Sequence, residues 1–303
     1  METGHIRGVL PVVHTPFTTD DAIDYPALRR EVDFAFDSYA DGIVMALASE
    51  ILRLTHRERL EMTARLVEYA AGRGPVIIGV HAESTAQALE YATAAREAGA
   101  SAVMATPPLQ SGWEPETLFA HFERLLKEGG LPVVVQDGSA YVGRPMSVEF
   151  QAGLREKLGP GILYKPEGHP VGPLMSRLIA ATGGEGVVFE GMAGMYLVDS
   201  FRRGVKGSMP GCDLVDAVAA LWQALERGDE ERVYKIHPLL CALTALQVPT
   251  LDLLLSLEKH ILVRRGIFTT AHLRAPNSYR LDDHTRDEAD RIFDRLMAVL
   301  GEA

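Results

Sequence analysis

The stretch Gly161-Ile-Leu-Tyr-Lys-Pro-Glu-Gly-His169 decides how this chain is read. Three apolar residues, Ile162 to Tyr164, run into a lysine and are stopped by Pro166-Glu167-Gly168. A short apolar run closed by Pro and Gly reads as a buried strand followed by a turn. Lys165 then stands at the carboxyl end of a core strand. Burying an ammonium is costly, so such a lysine either pairs with a carboxylate or drops its pKa and becomes a neutral amine. A neutral amine is the nucleophile that attacks a ketone to form a Schiff base. By itself the stretch also fits a surface lysine at a strand end, so the decision falls to its surroundings.

Working outward, the same kind of run recurs along the chain. Gly8 to His14, Gly42 to Leu47, Pro75 to Val80, Ala102 to Ala105 and Pro132 to Gln136 precede it; Val187 to Glu190 and Gly207 to Met209 follow it. Between them lie segments with apolar residues at helical spacing, such as Asp24 to Asp37 with Leu28, Val32, Ala35 and Phe36. Thr55 and Glu58 form a capping box that opens a helix to about Ala71, and Ser84 or Thr85 caps the next, which stops at Gly99. Further helices are expected near 115–127, 148–158, 171–182 and 196–203. Eight strands alternating with helices at a repeat of roughly 30 residues imply a parallel sheet covered by helices. Eight units in about 210 residues suit a closed (β/α)8 TIM barrel, an α/β fold, better than an open doubly wound sheet. No GxGxxG follows the first strand, which counts against a dinucleotide-binding fold. The division expected is a barrel over 1–213 that carries the active site and an extension over 214–303, helical throughout and packed on the barrel.

Composition narrows the function classes. The 303 residues are 47% hydrophobic and 23% charged, a globular balance. A formal net charge of -11 argues against a nucleic-acid binder, which would need a basic face. The two cysteines, Cys212 and Cys241, form no CxxC, so neither a disulfide framework nor a structural zinc site is expected, and a reducing cytoplasm fits. The first residues lack a signal segment, and no apolar run is long enough to span a membrane. No spacing of histidines and carboxylates suggests a metal, and no cofactor is expected.

In a barrel of this kind the active site lies at the carboxyl ends of the strands. Those ends carry His14 and Thr15, Ala48-Ser49-Glu50, His81, Thr106, Gln136 and Asp137, Lys165 with Glu167, Glu190, and Ser208. Lys165 is the single lysine in that set. The catalytic candidates are Lys165, Gln136, His81 and Glu167. The substrate-binding candidates are His14, Thr15, Ala48, Ser49, Glu190 and Ser208. Glu50 reads as a structural residue bonding amides of its own loop, Asp137 as an orienter of Gln136 or a solvent-facing residue, and Cys212, Cys241, Met192 and Met195 as packing.

The chain resembles the dihydrodipicolinate synthase and N-acetylneuraminate lyase family of Schiff-base-forming barrels. The resemblance rests on Thr15-Pro16-Phe17, Ser49-Glu50 and Leu54-Thr-His-Arg-Glu-Arg59. It continues in Gly72-Arg-Gly-Pro-Val-Ile-Ile-Gly79, Ser84-Thr85, Ala98-Gly-Ala100, Thr106-Pro107, Lys165, the stretch Gly204 to Gly207, and Leu273-Arg-Ala-Pro276. It implies that Lys165 is the Schiff-base lysine, that the substrate is pyruvate or another 2-oxo acid, that no metal takes part, and that the chain is a homo-oligomer, dimer or tetramer.

The departures are as informative. The family's Gly-Thr-Thr-Gly-Glu or Gly-Ser-Thr-Gly-Glu after strand two is Ala46-Leu-Ala-Ser-Glu50 here, leaving Ser49 and nearby backbone N–H groups to bind a carboxylate. The strand-five tyrosine, the usual proton relay, is Gln136, which cannot titrate. The arginine that the synthase uses for its second substrate aligns with Tyr141. The tyrosine it lends to a neighbouring subunit aligns with Pro108 or Leu109. Three parts of the synthase machinery are thus missing together. His81, His14, Glu167 and Glu190 are the groups left to move protons. The expected function is a cytoplasmic Schiff-base lyase, a dehydratase or aldolase of 2-keto-3-deoxy sugar acids or an enzyme acting on pyruvate. The rivals are a synthase-like condensing enzyme and a barrel that has lost catalysis and only binds a 2-oxo acid.

Overall fold

The computed structural model describes residues 3–108 and 113–302. Eight parallel strands, β1 (Gly8–Val9), β2 (Ile43–Met45), β3 (Val76–Gly79), β4 (Ala102–Ala105), β5 (Val133–Asp137), β6 (Ile162–Pro166), β7 (Phe189–Glu190) and β8 (Gly207–Ser208), follow the order of the sequence. β2 to β6 pair in sequence order, and β8 pairs with both β1 and β7. Single bridges close the ring, Val12 to Val44 and to Gly211 on one side and Tyr164 to Val188 on the other. The barrel is therefore complete. Several strands are shorter than their apolar runs predicted, because a tilted ring keeps only part of each run in register with both neighbours.

Strand alternation decides what faces the barrel axis. Leu10, Val12, Val44, Ala46, Ile77, Ala102, Met104, Val134, Leu163, Phe189 and Met209 form one buried cluster, the interior of the barrel. The residues between them, including Ile43, Met45, Ile78, Val103, Val135, Ile162, Tyr164 and Val188, join a second cluster with the helices. A parallel barrel buries both faces of every strand, so both sets are apolar and the period of two is hidden in the raw sequence.

The barrel helices are α1 (Tyr25–Asp37), α2 (His56–Ala70), α3 (Thr85–Ala98), α4 (Pro115–Lys127), α5 (Val148–Leu158), α6 (Val171–Ala181), α7 (Leu197–Arg202) and α8 (Val215–Arg227). Their starts follow local chemistry. Thr55 Oγ1 accepts from the Glu58 N–H while the Glu58 carboxylate accepts from the Thr55 N–H, and Ser84 caps α3 through the Gln87 N–H. α8 follows β8 and packs against β1, as the eighth helix of a barrel must. The boundary expected at residue 213 lies just before this helix. We propose drawing the barrel as 1–227 and the extension as 228–303.

That extension holds α9 (Glu230–Gln247), α10 (Leu251–Arg264) and α11 (Asp283–Gly301). It is not helical throughout: residues 267–282 contain no helix and run as a strap. The strap is tied down by Arg274, whose guanidinium donates to both Glu58 oxygens at 2.8 Å. This pairing holds the Glu58 carboxyl at about 2, well below its ordinary value. Two separated sequence motifs thereby meet in one ion pair.

α10 is bolted across the mouth of the barrel by charge. Its Glu258 accepts from His14, its Lys259 ammonium donates to Glu50, and its Asp252 accepts from Arg53. Lys259 and Glu50 are almost completely buried. Glu50 also accepts from Arg53 at 3.1 Å. Glu50 is thus structural as expected, yet its partners are two cations and not the amides of its own loop. Removing one member of such a pair strands the other without full compensation. Lys259→Met is expected to lower unfolding free energy by about 3 kcal/mol, seen as a lower urea midpoint at unchanged slope. An unchanged midpoint would show that the pair contributes nothing net.

Candidate active site

The alternation that fills the barrel also aims the polar residues. Continuing the inward set beyond Leu163 gives Lys165, beyond Val134 gives Gln136, and beyond Ile77 gives Gly79 and then His81. Gln136 and Lys165 lie side by side in the register of β5 and β6. All three side chains are buried, with Lys165 4% exposed. An ammonium so placed requires a counter-charge, and Glu167 supplies it: Nζ stands 3.1 Å from Oε1.

From that pair a hydrogen-bonded chain runs across three strands. Gln136 Nε2 donates to Glu167 Oε2 at 2.7 Å, and Gln136 Oε1 lies 2.9 Å from His81 Nε2. With an ionised Glu167 the amide must turn its NH2 toward the carboxylate, so its oxygen accepts from His81 Nε2–H. This orientation fixes the tautomer and leaves Nδ1 bare; that atom is buried without a partner. Burial, with the charges of Arg59 and Lys165 nearby, pushes His81 down to about 3 despite the bond to Gln136. His81 is therefore a neutral imidazole at physiological pH. Its backbone oxygen is held by Arg59, which also donates to the Gly79 carbonyl and stacks on Tyr91. Burial raises Glu167 above the ordinary carboxylate value even though Lys165 and Gln136 pull it down. A carboxyl group so placed against an amine can exchange a proton with it.

The cavity at the lysine is lined by Ala48, Gln136, Tyr141, Lys165, Glu167, Gly191 and Ala193, and also by Val12, Ala46 and Met209 of the barrel interior. Leu251, Leu254 and Glu258 of α10 join the lining. Its volume of about 40 Å³ holds a few water-sized groups. Leu47 and Ala48 open a single 3-10 turn, Leu47–Ser49. The first N–H groups of such a turn have no partner within it and can receive a carboxylate.

The other candidates lie elsewhere. His14 is on the inward set but locked: Nδ1 donates to Glu31 at 2.7 Å and Nε2 to Glu258 at 2.8 Å. Burial pulls its pKa down, but the two carboxylates more than offset this and raise it to about 10. It is a structural imidazolium, not a free acid or base. The Ser49 hydroxyl is spent on the Val13 carbonyl and on the Ala46 N–H, and Thr15 donates to the Ser49 carbonyl. Glu190 and Ser208 fall on the outward set. Glu190 accepts from the N–H groups of Met192 and Gly194 and from the Ser208 hydroxyl, closing its own loop. Asp137 likewise accepts from the N–H groups of Ser139 and Met146 and does not touch Gln136. Cys212 is buried under Glu31 and Cys241 half-buried near His237. Pro108 is half-buried, and Leu109 lies outside the described residues.

Reading the sequence by strand ends alone missed Glu258 and the two leucines of α10, and gave Tyr141 no role beyond the missing arginine. A signal was present for α10: Glu258-Lys259 interrupts an otherwise leucine-rich helix, and adjacent charges on an apolar helix mark buried pairing.

Fold and site together define a Schiff-base lyase barrel, with an amine and a carboxyl group enclosed at the carboxyl ends of its strands. The chain belongs to the dihydrodipicolinate synthetase family, whose profile matches residues 5–295. It is 29% identical over 234 residues, 75% of each chain, to L-2-keto-3-deoxyarabonate dehydratase of Azospirillum brasilense. It is 37% identical over 131 residues to 4-hydroxy-tetrahydrodipicolinate synthase of Aromatoleum aromaticum, covering 43% of this chain and 45% of the other. Among solved structures, the 4-hydroxy-tetrahydrodipicolinate synthase of Methylacidiphilum fumariolicum superposes with a TM-score of 0.87 at 22% identity over 98% of both chains. A prophage protein of E. coli in complex with pyruvate superposes at 0.86 with 20% identity, over 96% of this chain and 99% of the other. At such identities these likenesses speak for the fold.

The His14 imidazolium makes a pH test possible. Its folded value of about 10 lies above the unfolded 6.5, so its stabilisation is full below 6.5 and is lost as pH rises through 10. Urea midpoints of the wild type should fall across that window, whereas His14→Gln should show a flatter profile. Parallel profiles would mean that the ring is not charged in the fold.

Proposed function

We propose that this protein is a Schiff-base lyase of 2-keto-3-deoxy sugar acids with Lys165 as the nucleophile, and that dehydration is its reaction. The enclosed Lys165–Glu167 pair carries this reading. Glu167 takes a proton from the Lys165 ammonium, and the freed Nζ lone pair attacks C2 of the 2-oxo acid. Glu167 returns the proton to the carbinolamine oxygen, which leaves as water while the imine forms. The protonated imine withdraws electrons from C3, whose proton passes to Glu167 and whose bonding pair moves into the enamine. Collapse of the enamine expels the C4 oxygen, which takes up the Glu167 proton and leaves as water. Hydrolysis of the imine then frees the product and Lys165. Cleavage of the C3–C4 bond instead would make the same site an aldolase that releases pyruvate.

Gln136 positions the acid–base group. With its NH2 on Glu167 and its oxygen on His81, it holds the carboxylate against Nζ and is itself held by a neutral ring. The N–H groups of Leu47 and Ala48 are the proposed carboxylate site for the 2-oxo acid, in place of side-chain hydroxyls. The dehydratase relative supports the sugar-acid reading. A synthase-like condensation is the second reading, favoured by the synthase relatives. Gln136 and Tyr141, at the positions where the family resemblance leads one to expect the synthase's tyrosine and arginine, count against it.

Among the described residues no helix is long and apolar enough to cross a membrane. Both cysteines are free, in keeping with the proposed cytoplasmic setting. A dimer or tetramer remains part of the proposal, and light scattering of the purified chain decides it.

Borohydride added with pyruvate should leave a reduced adduct on Lys165, found by peptide mass spectrometry and absent in Lys165→Ala. Failure of pyruvate and larger 2-oxo acids to modify folded protein would sink the mechanism and favour a binding barrel. Glu167→Gln should lower kcat by about 100-fold or more. In the wild type the acid limb of kcat should lie above the ordinary 4.5 of a glutamate, because burial raises Glu167. An acid limb at 4.5 or below would assign proton transfer to another group.

A further inference from the structure

The proposed reaction uses the lysine, its carboxylate partner and the turn N–H groups. It leaves Tyr141, Glu258, Leu251 and Leu254 of the same cavity without a role. Tyr141 sits on the loop after β5, in a tight turn where its N–H donates to the Gly138 carbonyl at 2.9 Å. Among the described residues its hydroxyl has no hydrogen-bond partner, although Gln136 beside it is committed at both ends. Burial and the nearby carboxylates Glu167, Glu258 and Glu190 keep the phenol protonated, hence a donor. Glu258 is 1% exposed. Its Oε2 accepts from His14, while Oε1 lies on the side of Gly211, another residue of the cavity wall. A donor hydroxyl and a carboxylate acceptor thus border one small space, which among its described lining residues holds no cation besides Lys165.

We propose that Tyr141 and Glu258 form a hydroxyl-reading wall that selects 2-oxo acids bearing a hydroxyl at C4 or C5 and rejects those bearing a second carboxylate. A substrate hydroxyl can accept from Tyr141 and donate to Glu258, so both protein groups are satisfied. A distal carboxylate would meet the Glu258 charge in a desolvated space, an unfavourable contact that works as discrimination. Leu251 and Leu254 exclude water from that contact. The inference rests on the Schiff-base reading above, and the experiment separates the two.

Three probes suffice: a 2-keto-3-deoxy pentonate, 2-oxopentanoate (which lacks the hydroxyls) and 2-oxoglutarate. Borohydride trapping on wild-type Lys165 comes first; if none of the probes is trapped, the Schiff-base reading fails, whatever the wall does. Given trapping, Tyr141→Phe should lower kcat/KM for the pentonate about 10-fold, one neutral hydrogen bond. Trapping of 2-oxopentanoate should change by less than about 3-fold, since that probe makes no such bond. Equal loss on both probes, or loss on neither, overturns the role of Tyr141. Glu258→Gln keeps an acceptor for His14 and removes the charge. It should raise trapping of 2-oxoglutarate relative to the pentonate by about 10-fold. An unchanged ratio in a protein with wild-type circular dichroism overturns the role of Glu258. If that variant does not fold, Tyr141→Phe decides the matter.

Discussion

An ammonium and a carboxylate stand 3.1 Å apart at the end of an apolar barrel interior. Neither would be stable there alone, because the solvation each loses exceeds what packing returns. Everything around them follows from that constraint. Gln136 satisfies the second oxygen of Glu167, His81 satisfies Gln136, and Arg59 fixes the His81 backbone. The chain of donors ends at a bare ring nitrogen, and the His81 ring stays uncharged. Such an arrangement puts an amine and a carboxyl group within reach of one proton transfer.

The same physics works on a larger scale at the mouth of the barrel. α10 carries Asp252, Glu258 and Lys259, and each meets an opposite charge from a strand-end loop. Two of these pairs, His14–Glu258 and Lys259–Glu50, are buried and the third is half-buried, so they specify one placement of the helix more than they add stability. That placement brings Leu251, Leu254 and Glu258 to the cavity. The extension is therefore part of the cavity wall and not only a packing appendage.

Where the family resemblance leads one to expect a proton-relaying tyrosine on β5, this chain has Gln136, an amide that cannot titrate. Beside it stands a carboxyl group. Glu167, two residues beyond the lysine, reaches back to Nζ because Pro166 ends β6 and the chain stays extended across one further inward position. Glu167 is then the carboxyl group set against the lysine amine, and Tyr141 lines the same cavity.

The order of strands and helices was legible in the sequence, because apolar runs, caps and turn residues are local signals. So were Lys165, Gln136, His81 and Glu167 as strand-end residues of a barrel. Which strand-end residues face the axis was not visible directly: in a parallel barrel both faces are apolar, so the alternation separating His81 and Gln136 from Glu190 and Ser208 carries no contrast in hydropathy. The fate of His14 and Ser49 was equally hidden, since their partners are Glu31 and Glu258 in one case and backbone groups in the other. By itself the sequence determined a barrel with one lysine at its mouth, because local chemistry places elements and repetition closes the ring. Only the tertiary structure decided which polar groups meet, because a buried charge is held by whatever partner the fold brings within about 3 Å, and Glu258 comes to His14 from 244 residues away.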